Sequence, residues 1–151
     1  KCEQCPVRAD CVARAKNLTG KLPSPKVRRT LPQRSTVMLL LRNAGEILLE
    51  KRAPQGIWGG LWSLPEVVHA RETRRVCRER YGVIATSLKK LPLVAHGFTH
   101  FKLNIEPIHV TVKKSTSRVP GMRLTRWLPL ADAVSAALPA PVRKIIVSNC
   151  F

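Results

Sequence analysis

Gly56-Ile57-Trp58-Gly59-Gly60-Leu61-Trp62-Ser63-Leu64-Pro65 is followed, after Glu66-Val67-Val68, by His69-Ala70-Arg71-Glu72-Thr73-Arg74-Arg75-Val76-Cys77-Arg78-Glu79-Arg80-Tyr81-Gly82. The first stretch, with three glycines, two tryptophans and a closing proline, reads as a loop. The second repeats Thr73, Val76, Cys77 and Arg80 at helical spacing, which predicts a helix from His69 to Tyr81 stopped by Gly82. Upstream, Thr36 to Leu41 is an apolar, strand-sized run, Asn43-Ala44-Gly45 supplies turn chemistry, and Glu46 to Arg52 alternates Ile47 and Leu49 with polar neighbours. These segments predict a hairpin.

Downstream, Lys89 to Ala95 and Phe101 to Val112 read as strands. In the second, apolar side chains fall on odd numbers at Phe101, Leu103 and Ile105, then on even numbers at Ile108, Val110 and Val112. A one-residue slip flips every side chain to the other face, so a bulge or an edge position is expected at Pro107. Beyond a polar loop from Lys113 to Gly121, Leu124 to Leu128 reads as a strand and Leu130 to Leu138 as a short helix. Val142, Ile145, Ile146 and Asn149 mark a last helix with Pro141 in its first turn. The order β-β-α-β-β-β-α-α predicts an α+β (mixed α/β) domain with a curved mixed sheet flanked by helices, over residues 35–151.

Residues 17–34, NLTGKLPSPKVRRTLPQR, carry three prolines and five Lys or Arg but no acid, and read as a basic, semi-extended interdomain linker. Residues 1–16 hold three of the five cysteines, as Cys2-x2-Cys5-x5-Cys11. Such clustering reads as metal ligation. Zinc would need a borrowed ligand, since the first histidine is His69. An iron-sulfur cluster suits closely spaced thiolates better, yet a four-thiolate cluster lacks one ligand here. Cys77 reads as a small buried hydrophobe and Cys150 as part of a frayed end.

The 151 residues include 27 Lys or Arg against 9 Asp or Glu, a net charge of +18, which points to a polyanionic partner. Nine carboxylates weigh against a dense acidic metal cage, and a hydrophobic share of 44% argues against wholesale disorder. No apolar run approaches the roughly 18 residues of a membrane span. The first residues lack the layout of a signal peptide, so a cytoplasmic location and no membrane partner are expected. The chain also lacks an initiator methionine, which suggests a piece of a longer protein.

The element order, the Trp-Ser-Leu-Pro stretch and the charged helix ending in Tyr81-Gly82 resemble the Nudix fold. Its hydrolases hold magnesium with several glutamates on that helix, because the ion takes hard oxygen ligands and bridges substrate phosphates. The family's Arg-Glu-x-x-Glu-Glu pattern falls here on Arg74-Arg75-Val76-Cys77-Arg78-Glu79 or, one residue on, on Arg75 to Arg80. Only one glutamate survives, and a helix carrying Arg71, Arg74, Arg75, Arg78 and Arg80 repels a divalent cation, so hydrolysis is disfavoured. The alternative, a Nudix pyrophosphohydrolase acting on oxidised dGTP, would have to use Glu66, Glu72 and Glu79.

Three features together resemble the C-terminal part of bacterial adenine DNA glycosylases, the MutY family: the cysteine spacing with its basic linker, the Gly56–Pro65 loop, and His96-Gly97-Phe98-Thr99-His100-Phe101-Lys102-Leu103. The resemblance implies a role in base excision repair, with duplex DNA carrying 8-oxoguanine:adenine or guanine:adenine mispairs as partner and a monomeric state. It implies that Cys2, Cys5 and Cys11 are three of four ligands to a 4Fe-4S cluster, the first lying before Lys1. It also implies that the family's Phe-Ser-His motif falls on Phe98, Thr99 and His100, with threonine in place of serine, and that excision chemistry resides in a catalytic domain outside this chain. Thr99 would contact the lesion, Phe98 would stack or wedge beside it, and His100 would position the turn or a phosphate. Lys26, Arg28, Arg29, Arg34, Arg74, Arg75 and Arg78 are candidate contacts to the DNA backbone, a solvated helix face being the plain alternative for the last three.

Overall fold

The computed structural model describes residues 1–22, 24, 30–114 and 124–150. The chain divides into two compact units, Lys1–Thr30 and Leu31–Phe151. The first holds a 3-10 turn at Cys2–Gln4 and the helix α1 (Val12–Ala15), neither of which buries a residue. Glu3 draws Arg8 and Arg14 to 3.7 and 3.8 Å, exposed pairs that add little stability.

The second unit is built around a mixed sheet of eight strands among the described residues. Strands β1 (Gln33–Asn43) and β2 (Glu46–Lys51) form the expected hairpin. Its two-residue turn works because Ala44 and Gly45 both take positive φ, 47° and 84°, the twist that a tight hairpin requires. Two-residue strands β3 (Trp62–Ser63) and β4 (Glu66–Val67) lie within and just after the glycine-rich loop, pairing with β2 and β1. Helix α2 (Thr73–Tyr81) follows a 3-10 turn at Ala70–Glu72 and ends on Gly82 at φ 61°. That left-handed cap is favourable for a residue without a Cβ.

β5 (Val83–Lys90), β6 (Val94–Gly97) and β7 (Lys102–Lys114) come next, then β8 (Thr125–Pro129), α3 (Leu130–Ser135) and α4 (Ala140–Cys150). The strand path runs β3-β2-β1-β7-β5, with β4 on β1, β6 on β7 and β8 on β2. β1 and β7 are parallel, and their ladder continues from Gln33 opposite Lys102 to Arg42 opposite Thr111. The α+β fold with a mixed sheet read from the sequence is the fold observed.

Two local expectations are corrected. The single strand expected over Lys89–Ala95 is the end of β5 and the start of β6, separated by Leu91-Pro92-Leu93. The Leu91 N–H donates to the Pro107 carbonyl at 2.9 Å, and Pro92 has no N–H with which to continue a ladder. The bulge or edge expected at Pro107 is also absent, since Met38 faces Pro107 within an unbroken register on a central strand. On the other side of β7, β6 pairs through Ile105 and β5 takes over at Ile108, so Pro107 occupies the changeover, where no ladder donor is required.

The parity switch has a different cause. Leu103 and Ile105 point into the layer that contains Val142, Ile145 and Ile146 of α4, whereas Ile108, Val110 and Val112 point into the layer that contains Cys77 and Tyr81 of α2. A straight strand buried on opposite faces at its two ends changes parity without any slip. β1 is covered on both faces over its centre, with Val37, Leu39 and Leu41 toward α2 and Met38 and Leu40 toward α4. Helices therefore close both sides of the sheet.

Candidate functional site

Strands β6 and β7 pair from Val94 opposite Ile105 to Gly97 opposite Lys102, and their turn is closed by Phe98 N–H donating to the Phe101 carbonyl at 2.9 Å. Thr99 and His100 form the exposed tip, with Thr99 Oγ1 3.1 Å from His100 Nδ1. Phe101 is buried and Phe98 half-buried, and their rings stack at 4.4 Å with 19° between planes. His96 meets Phe98 edge-on at 4.8 Å, and Trp58 lies 5.6 Å from Phe98 and 5.7 Å from His96. The Arg34 guanidinium sits over Phe101 at 4.7 Å. The turn thus rests on an aromatic base, which restricts how Thr99 and His100 can move.

Trp58 reaches that base from the glycine-rich loop, in the role of structural anchor. Its φ of 56° is unusual for a bulky residue and must be held by its surroundings. Arg52 supplies much of that hold: its N–H donates to Leu61 O at 2.9 Å, its Nε to Ile57 O at 2.9 Å, and its guanidinium lies 5.8 Å from the Trp58 ring centre. Gly60 N–H donates to Ala53 O at 3.1 Å, and any Cβ on Gly59 would overlap the Pro54 carbonyl. Sequence reasoning missed Arg52, because nothing in local spacing distinguishes it from the other arginines.

A second polar region lies beside β2, a cavity of about 240 Å³ lined by Glu50, Arg52, Gln55, Ser63, Glu66 and Arg80 among others. Its carboxylates are committed. Buried Glu50 accepts from Arg80 and from the Tyr81 hydroxyl, both at 2.5 Å, and Glu66 accepts from Arg52 at 2.5 Å. Outside the cavity, Arg75 bridges Glu72 at 3.2 Å and Glu79 at 3.0 Å, and these carboxylates, Glu79 foremost, raise its pKa. Glu66, Glu72 and Glu79 therefore each hold a guanidinium, and among the described residues no three His, Cys, Asp or Glu side chains form a group that could hold a metal ion.

The remaining candidates are dispersed. Arg74 donates to Ala85 O at 2.8 Å, which ties α2 to β5, while Arg78 is exposed. Lys26, Arg28 and Arg29 lie outside the described residues. Cys2 is exposed and Cys5 and Cys11 are half-exposed, all as free thiols. Soft thiolates are the right donors for an iron-sulfur cluster, but three are one short of a four-thiolate set and they are not gathered into a common site.

Helices on both faces of a mixed sheet, with a charged helix after a glycine-rich loop, define a domain of the Nudix type. The chain belongs to the NUDIX domain family, whose profile matches residues 36–148. It is 27% identical over 146 residues to an adenine DNA glycosylase of Buchnera aphidicola subsp. Acyrthosiphon pisum, covering 97% of this chain and 41% of that protein. An adenine DNA glycosylase of the Schizaphis graminum subspecies is 25% identical over 146 residues, covering 97% and 42%. The chain thus spans about two fifths of the length of the curated relatives it matches. Among solved structures, the MutT protein from Methanosarcina mazei Go1 shares the fold with a TM-score of 0.59 and 21% identity, covering 80% of this chain and 95% of that one. The C-terminal domain of mouse MUTYH, in its complex with human PCNA, does so with a TM-score of 0.53 and 21% identity, covering 81% and 89%.

Proposed function

We propose that this chain is the lesion-recognition part of an adenine DNA glycosylase acting in base excision repair, and that its β6–β7 turn reads 8-oxoguanine opposite the adenine to be removed. The observation that carries this reading is the exposed Thr99-His100 tip on a packed aromatic base, in a chain similar along almost its whole length to adenine DNA glycosylases. 8-Oxoguanine differs from guanine by an acceptor at O8 and a donor at N7, so a reader needs groups that donate to one and accept from the other. The Thr99 hydroxyl can do either. Phe98 would contact a base step beside the lesion, a reading supported by its half-exposed ring and its bracing by Phe101 and Trp58. Contacts of this kind favour the state in which the opposite adenine has left the stack.

Excision itself belongs to the rest of the longer protein, and the chain alone is expected to bind without cleaving. On the resemblance, Cys2, Cys5 and Cys11 would supply three ligands of a 4Fe-4S cluster in the longer protein, although the three thiols are not gathered into one site in this structure. The pyrophosphohydrolase alternative is weakened by the pairing of Glu66, Glu72 and Glu79 with arginines. The test is adenine excision by the complete protein carrying Thr99→Ala. Its preference for 8-oxoguanine over guanine opposite adenine is expected to fall, and an unchanged preference would reject the assignment.

A further inference from the structure

Six cation–aromatic contacts occur among the described residues, and they divide by whether the cation also meets an acid. Arg52 over Trp58, Arg80 over Tyr81 and Lys114 over Trp127 are neutralised by Glu66, Glu50 and Glu46 at 2.5, 2.5 and 2.6 Å. Arg34 over Phe101, and Lys51 and Arg126 over Trp62, have no ion-pair partner among the described residues. Trp62 is the one ring among these with two cations on it, at 5.1 and 5.6 Å from its centre.

Register explains how they converge. Lys51 is directly opposite Trp62 across the β2–β3 pair, and Leu49 is opposite Arg126 across the β2–β8 pair. Directly opposed residues share a face, as do residues two apart on one strand, so Lys51, Trp62 and Arg126 project to the same side. Leu49 identifies that side as the one packed against α4. Arg34, opposite Leu103, faces the same side. All three unpaired cation–aromatic contacts therefore lie on the sheet face that also supports the Phe98–Phe101 base.

Two like charges held over one ring without an acid repel each other until an anion joins them, and an anion there would gain charge-assisted hydrogen bonds from both. We propose that Lys51, Arg126 and Trp62 form a second DNA contact, a backbone phosphate site that holds duplex irrespective of the lesion. The proposal rests on the reading of duplex DNA as the partner, and goes beyond the assignment of lesion reading to Thr99.

The test is equilibrium binding of the full 151-residue chain to an undamaged duplex and to one carrying 8-oxoguanine, over a range of salt concentrations. Lys51→Gln with Arg126→Gln is expected to weaken both complexes by the same factor, about tenfold at low salt. It should also make the dependence of log Kd on log salt shallower by about one unit, the loss of one phosphate contact. Lys114→Gln, which removes a cation already paired with Glu46, serves as the control and is expected to change the slope far less. An unchanged slope in the double variant, or an equal change in Lys114→Gln, would overturn the proposal. If the double variant folds poorly, exposed Arg126→Gln alone carries the same comparison. Failure of lesion reading gives a different result: Thr99→Ala would leave selectivity unchanged while the effect of Lys51 and Arg126 on the slope remained.

Discussion

Around the cavity beside β2, Glu50 meets Arg80 and Glu66 meets Arg52, whereas at the β6–β7 turn Thr99 and His100 have each other as side-chain hydrogen-bond partners and are otherwise open to solvent. The cavity is rich in charge, yet both its carboxylates are already held by guanidiniums, and Ser63 Oγ is the buried polar atom of its lining left without a hydrogen-bond partner. The turn is nearly neutral and retains hydrogen-bonding capacity that water fills until a partner displaces it. The charge around the cavity is spent within the fold, whereas the turn presents its polar groups outward, as the proposed recognition role requires.

The sharpest way to break that contrast is Arg80→Ala. It removes a guanidinium from the Glu50 carboxylate, 7% exposed, which keeps the Tyr81 hydroxyl; since Arg80 is itself 34% exposed, the cost is expected to be about 2–3 kcal/mol, below that of breaking a fully buried pair. Urea or thermal unfolding should show that loss while lesion preference at low temperature is retained; a neutral result would mean that the pair is not structural. Gly59→Ala comes next. Its Cβ would collide with the Pro54 carbonyl, and forcing the loop apart is expected to cost about 1–3 kcal/mol and to loosen Trp58 from the turn. Lesion preference should fall along with stability in this variant, unlike in Arg80→Ala.

A smaller effect concerns pH. Burial pushes the Cys77 thiol up to about 11 from 9.0, with Arg74 opposing the rise. A group whose pKa rises on folding stabilises fully below its unfolded value, so stability should decline as pH climbs from 9.0 to about 11. Cys77→Ala should flatten that decline, measured by chemical unfolding across the range. At neutral pH, thiol labelling of the native chain should modify exposed Cys2 and spare Cys77. The smallest expected change in stability is that of Thr99→Ala, within about 0.5 kcal/mol, because the side chain is exposed. A large loss there would erase the distinction between the two regions.

The hairpin at Asn43-Ala44-Gly45, the stop of α2 at Gly82 and the start of α4 around Pro141 were legible because turn and cap chemistry is local. β3 and β4 were not, since two residues carry no periodicity. β5 escaped for another reason: its register shifts between Ala85 and Ser87, and its exposed polar residues interrupt the alternation. The switch at Pro107 was seen but misread, because one sequence pattern fits both a slipped strand and a straight strand covered on opposite faces. At the site, the family resemblance singled out Phe98, Thr99 and His100. The base beneath them was invisible, because Trp58, Arg34 and Arg52 reach it from distant segments and only the folded sheet brings them together.

The β1–β7 ladder also bears on how the chain acquires its structure. Parallel partners so far apart in sequence cannot meet until the intervening loop, helix and strands have been made. During synthesis the apolar run from Val37 to Leu41 must therefore wait without its central neighbour, paired at most with β2 and β4. Closure of such a long loop is slow, and an uncovered strand invites association with other chains in the meantime. The abundance of lysine and arginine would also keep nascent copies apart by mutual repulsion while that central pair forms.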